Sequence, residues 1–122
     1  MNRSITVWGR EFELKVVFDV YEGEEILNIQ KEALDEFLEA AGSLLSSYSE
    51  LENYCLNRDA AAIGDKIDNI FKYVMPKSIF VKRDDKKHVV ALICDYRFDE
   101  EHGLALIFEN EKLVRVVTQD NV

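Results

Sequence analysis

Apolar residues first recur in this chain at every second position. Phe12, Leu14 and Val16 alternate with Glu11, Glu13 and Lys15, a period of two that leaves one face of a strand wet. Residues 5–8 and 12–21 are rich in β-branched and aromatic side chains, and Gly9-Arg10 lies between them, so the pair reads as a hairpin. After Glu22-Gly23-Glu24-Glu25 the period lengthens. Leu34, Phe37, Leu38 and Ala41 share a helical face behind Asn28, a candidate N-cap. Gly42-Ser43 interrupts this pattern, and Leu44, Tyr48, Leu51 and Cys55 then mark a second helix ending near Asn57. Asp59 is placed to cap a third, with a stripe of Ile63, Ile67, Ile70, Phe71 and Val74. Pro76 marks its end, because proline lacks the donor that a continuing helix requires.

Beyond Pro76 the period falls back to two or to continuous apolar runs. "SIFVKR", "HVVALICDY", "LALIFE" and "LVRVVT" read as four strands. Asp84-Asp85-Lys86-Lys87 and Asn110-Glu111 are connections too short for a crossover helix, so these strands are expected to run antiparallel. The expected fold is α+β, in the order ββαααββββ: an antiparallel sheet of about six strands with helices packed on one face. A chain of 122 residues without linker or repeat reads as a single domain over 1–122.

Charge sharpens this picture. Hydrophobic residues at 48% and charged ones at 32% are a globular mixture, too apolar for disorder. The net charge of -9 is concentrated: residues 22–59 hold ten acids against Lys31 and Arg58, while the flanking segments nearly balance. Such a field repels phosphate backbones, which argues against direct nucleic-acid binding, and attracts basic surfaces. A basic protein surface is therefore the expected partner. Glu32, Asp35, Glu36 and Glu39, with Glu50 and Glu52 on the following helix, are the candidate contacts, and Tyr48, Tyr54 and Tyr73 are candidate anchors. The chain is expected to be a monomer or dimer. Cys55 and Cys94 lie in separate apolar segments without metal-site spacing and read as buried, reduced thiols. No apolar h-region opens the chain and no stretch approaches the ~20 residues of a membrane span, so the expectation is a cytoplasmic protein without membrane contact.

The densest chemistry lies in "CDYRFDEEHGLALIFENEKL". Asp95, Asp99, Glu101 and His102 offer oxygen and nitrogen donors, but the paired histidines of a helical zinc motif and the alternating donors of a calcium loop are both absent. Carboxylates beside a histidine also suit general acid and base roles. No nucleophile elbow, phosphate loop or Cys-His pair accompanies them, and Cys94 ends an apolar strand where a thiol is inert. The favoured reading is a strand-joining turn: Phe98 pins the strand end, Asp99 accepts from backbone donors, and Gly103 takes a conformation other residues avoid. No catalytic residue, metal or cofactor is expected.

"VMPKSIFV", "YRFDEEHGLALIFENEKL" and the terminal "TQDNV" resemble a family of small bacterial domains of unknown function. In that family a strand ends in an aromatic residue, a Phe-Asp-x-Glu-His-Gly turn comes next, and a Gln-Asp pair lies near the end. The matching positions are Tyr96, Phe98, Asp99, Glu101, His102, Gly103, Gln119 and Asp120. The family implies no chemistry for them. Small acidic domains similar to this one in size and charge also serve as immunity proteins in contact-dependent growth inhibition. That likeness implies an inhibitor that covers the basic active site of a nuclease-type toxin. The alternatives are a metal-dependent or acid–base enzyme using the Asp99–His102 turn, and a homo-oligomeric scaffold joined through strand edges.

Overall fold

The computed structural model describes residues 1–40 and 47–122. Six strands form one sheet in the spatial order of the sequence: β1 (Asn2–Val7), β2 (Arg10–Phe18), β3 (Val74–Val81), β4 (Val89–Tyr96), β5 (Leu104–Glu109) and β6 (Lys112–Val117). Two helices, α1 (Asn28–Glu39) and α2 (Tyr48–Ile63), lie in the connection from β2 to β3. Every neighbouring pair is antiparallel except β2 and β3, which run parallel from Lys15 opposite Ser78 to Phe18 opposite Val81. The expectation of a wholly antiparallel sheet is therefore corrected to a mixed one. The cause is the connection itself, since a helix-bearing crossover is long enough to return the chain in the same direction.

Among the described residues, the expectation of three helices is corrected to two. Asp59 does leave helical geometry (φ -127°, ψ 33°), but it kinks α2 and the helix continues to Ile63. Gly64, at φ +100°, then ends it. Ile67 and Ile70 are buried at helical spacing, yet the segment around them is a loop with one 3₁₀ turn, Ile70–Lys72. Pro76 ends no helix. It lies within β3 opposite Cys94, before the paired stretch with β2 begins and beside an irregularity between Pro76 and Ser78, so its missing N–H removes no bond to β2. The expected contributions of Ala41, Gly42, Ser43 and Leu44 fall outside the described residues.

Both helices contribute to the same core. Ala33, Leu34 and Phe37 of α1, with Leu51 and Cys55 of α2, pack among Leu14, Val16, Ile79, Val81, Val90, Leu92, Leu104 and Leu106. The opposite face holds a smaller cluster of Val89, Ala91, Ala105 and Ile107, to which no helix among the described residues contributes. Cys55 and Cys94 are buried and unpaired, and burial pushes the Cys55 thiol up to about 11. Among the described residues, no helix is long and apolar enough to cross a membrane.

Two tight turns adopt left-handed backbone. Trp8-Gly9 joins β1 to β2 one residue earlier than the expected Gly9-Arg10, with both residues at positive φ (48° and 84°). That turn matches strand twist but strains a tryptophan. Burial, a bond from the Trp8 indole N–H to Ser47 Oγ at 3.2 Å and a tilted contact with Phe71 hold it there. Asn110-Glu111 joins β5 to β6 in the same way, with φ of 49° and 66°.

A single buried side chain locks α1 to the sheet. Gln30 Oε1 accepts from the Leu27 N–H at 2.9 Å, filling a donor that a helix start leaves open. Its Nε2 donates to the carbonyls of Asp19 (3.0 Å) and Val81 (3.3 Å), where β2 and β3 end side by side.

Candidate functional site

The apolar stripe of α1 turns Ala33, Leu34 and Phe37 inward, which leaves Glu32, Asp35, Glu36 and Glu39 on the solvent side. They do not all look the same way. Glu36 and Glu39 border a shallow groove with Ala40 and Glu111, whereas Asp35 lines a different one with Arg3 and Lys31. On α2, burial raises the Tyr48 pKa, and Glu52 beside its hydroxyl adds to the rise. The structure thus gathers Glu32, Glu36 and Glu39 and places Asp35 in another groove.

Other elements supply members of this site that were not among the sequence candidates. His88 precedes β4, and its backbone is clamped to the β5–β6 turn: its N–H donates to Asn110 Oδ1 (3.1 Å) and its carbonyl accepts from the Asn110 N–H (2.9 Å). The left-handed turn carries Glu111 to the same place. His88 Nδ1 lies 2.9 Å from Glu111 Oε2 and 3.6 Å from Glu36 Oε2, and its Nε2 lies 3.9 Å from Glu32 Oε2. A hydrogen bond with Glu111 holds the Glu36 carboxyl above its ordinary range. Lys87 and Arg115 are not available to these acids, because both pair with Glu109, at 2.6 and 3.7 Å. Among the described residues no lysine or arginine pairs with Glu32, Glu36, Glu39 or Glu111. The only sequence signal for this convergence was Asn110-Glu111 as a tight turn; its partner on α1 is about 75 residues away.

The Asp99–His102 turn is built differently. Asp99 Oδ1 accepts from the His102 N–H (3.1 Å) and faces His102 Nδ1 at 3.0 Å, while Oδ2 accepts from Arg58 of α2 at 2.7 Å. The Arg58 bond leads in holding the Asp99 carboxyl at about 2, and Asp99 in turn raises the His102 pKa. A carboxylate this acidic, with both oxygens engaged, is a weak proton acceptor near neutrality. Arg58 also stacks over the Tyr96 ring, whose hydroxyl donates to Asp59 at 2.6 Å, at the kink of α2. Phe98 packs against Tyr73 and Tyr96. Gly103 has φ +58°, and a Cβ there would meet the Gln119 amide and the Cys94 carbonyl. Gln119 Nε2 donates to that carbonyl at 2.9 Å. A bond with Thr118 lowers the Asp120 pKa. Glu101 is exposed, and Asp95 pairs with Lys77 at 3.4 Å, so Asp95, Asp99, Glu101 and His102 are not drawn around one point.

The chain matches the family described as "Domain of unknown function (DUF6985)" over residues 1–122 and belongs to it. No curated protein and no solved structure matches the chain significantly.

Proposed function

We propose that this is a binding protein that recognises a basic macromolecular surface through the acidic rim of Glu32, Glu36, Glu39 and Glu111, acting as an immunity protein against a nuclease-type toxin. The observation that carries the reading is the crowding of carboxylates from α1 and the β5–β6 turn with no lysine or arginine among the described residues to neutralise them. Glu36 and Glu111 are close enough to share a hydrogen bond, so a partner's guanidinium or ammonium group relieves a repulsion already present. An enzyme that grips phosphates must be basic at that surface, and complementary charge speeds encounter while excluding other partners.

The test is to search the neighbouring genes for a toxin-like domain and co-express it with this protein. Wild type is expected to protect cells, and Glu36→Lys/Glu39→Lys/Glu111→Lys to lose protection while remaining folded. The association rate is expected to fall by roughly tenfold or more between low and high salt. Absence of a neighbouring toxin, or full protection by the charge-reversed variant, would refute the proposal.

A further inference from the structure

The same corner of the molecule carries a second inference, which goes beyond partner recognition and does not rest on it. We propose that Glu36, His88 and Glu111 bind a divalent first-row transition-metal ion, of the zinc type, with Glu32 orienting the imidazole. Their ligand atoms, one imidazole nitrogen and two carboxylate oxygens, all lie within 4.8 Å of one another. Ligands about 2.1 Å from a tetrahedral ion stand about 3.4 Å apart. The distances from His88 Nδ1, 2.9 Å to Glu111 and 3.6 Å to Glu36, bracket that value.

Three features make this more than a patch of acids. The donor set is mixed: an imidazole nitrogen favours zinc, nickel or copper over calcium and magnesium, which prefer oxygen alone. The ligands come from three elements, α1, the segment before β4 and the β5–β6 turn, and two of those are tied together by reciprocal His88–Asn110 backbone contacts. Finally, the other ring nitrogen of His88 lies 3.9 Å from Glu32 Oε2, beyond hydrogen-bond length but close enough for that carboxylate to close on it and fix the tautomer and aim of a ligating histidine. Three protein ligands leave a position open for water or for a donor from a partner.

The experiment uses the full chain, stripped with chelator and dialysed, then titrated with Zn²⁺ in a calorimeter and with Co²⁺ in a spectrophotometer. One equivalent of Zn²⁺ per chain is expected, with ligand-field bands from Co²⁺. Glu111→Gln and His88→Ala are each expected to lose tenfold or more in affinity, and Glu32→Gln to lose on the order of tenfold. Asp65→Asn, away from the cluster, leaves binding unchanged. Melting without metal identifies any variant that has lost its fold; should His88→Ala be one, Glu111→Gln carries the comparison. Failure of the wild type to bind one equivalent at 100 µM Zn²⁺ (roughly the concentration at which a Kd tighter than that becomes visible) overturns the proposal. So does equal affinity in the folded variants.

Discussion

Replacing Gln30 by methionine tests how the acidic helix is held to the sheet. The two side chains are close in volume, so the substitution opens little cavity and isolates the polar contribution. It removes three hydrogen bonds: one from the Leu27 N–H and two to the carbonyls of Asp19 and Val81. The losses are unequal. Val81 O keeps the bond it accepts from the Asp19 N–H at 2.9 Å, whereas the Leu27 N–H and Asp19 O give up the contacts Gln30 provides. A buried group left unsatisfied costs about 1–3 kcal/mol, and Gln30 is only 1% exposed. Partial access of water to Leu27 and Asp19 puts the total at about 2–4 kcal/mol, a large share of the 5–15 kcal/mol typical of a domain. Urea unfolding followed by circular dichroism reads this directly. With a slope of about 1.5 kcal/mol/M, the midpoint is expected to drop by about 1–3 M with the slope unchanged. A midpoint within about 0.3 M of wild type would show that the Gln30 network does not hold α1 in place. The same variant is expected to weaken any ligand that needs Glu32 and Glu36, because both ride on the helix that Gln30 anchors.

Two further perturbations address the Asp99–Gly103 turn. Asp99 has a folded pKa of about 2, below its ordinary 3.8, so its stabilising contribution is present above that ordinary value and disappears as pH falls from about 4 through about 2. Asp99→Asn should therefore be less stable than wild type near neutrality, with the gap closing over that acid window; a gap independent of pH would refute the Arg58–Asp99 account. Gly103→Ala should cost about 2–4 kcal/mol, because it combines a left-handed backbone with a Cβ that would sit 2.5 Å from the Cys94 carbonyl. Thermal melting checks this, and a change under 0.5 kcal/mol would mean that β4 and the Gln119 segment yield more easily than their bonding implies.

The elements that could be read from the sequence are those whose apolar period is set by one flat or cylindrical surface. The four strands β3 to β6, the Asn110-Glu111 turn and the inward stripe of α1 all belong to that class. The stripe from Ile63 to Val74 misled because burial at intervals of three or four needs no helix. Here Ile67 and Ile70 are buried from a loop, and the true stop is Gly64 rather than Pro76. The parallel pairing of β2 with β3 leaves no trace in either strand, since it depends on where a long connection returns. At the sites, Asp99 and His102 were legible as a turn because they are neighbours in sequence. Arg58, which completes it, was not, and neither was the meeting of Glu36 with His88 and Glu111, because sequence proximity says nothing about partners on separate elements. Acidity was visible as a sum. Its division between the Glu36 groove and the Asp35 groove was not.

The parallel seam also carries the largest loop-closure cost in the sheet. Hairpins such as β1–β2 and β5–β6 close over two residues, while Phe18 meets Val81 across roughly 60. Loop entropy grows by about 0.6 kcal/mol per doubling, so bringing the seam together costs on the order of 2–3 kcal/mol more than closing a hairpin. That is comparable to what the single glutamine at its end supplies. The amino-terminal ribbon and the four-strand meander are each built from neighbours in sequence, and only the join between them depends on a long connection.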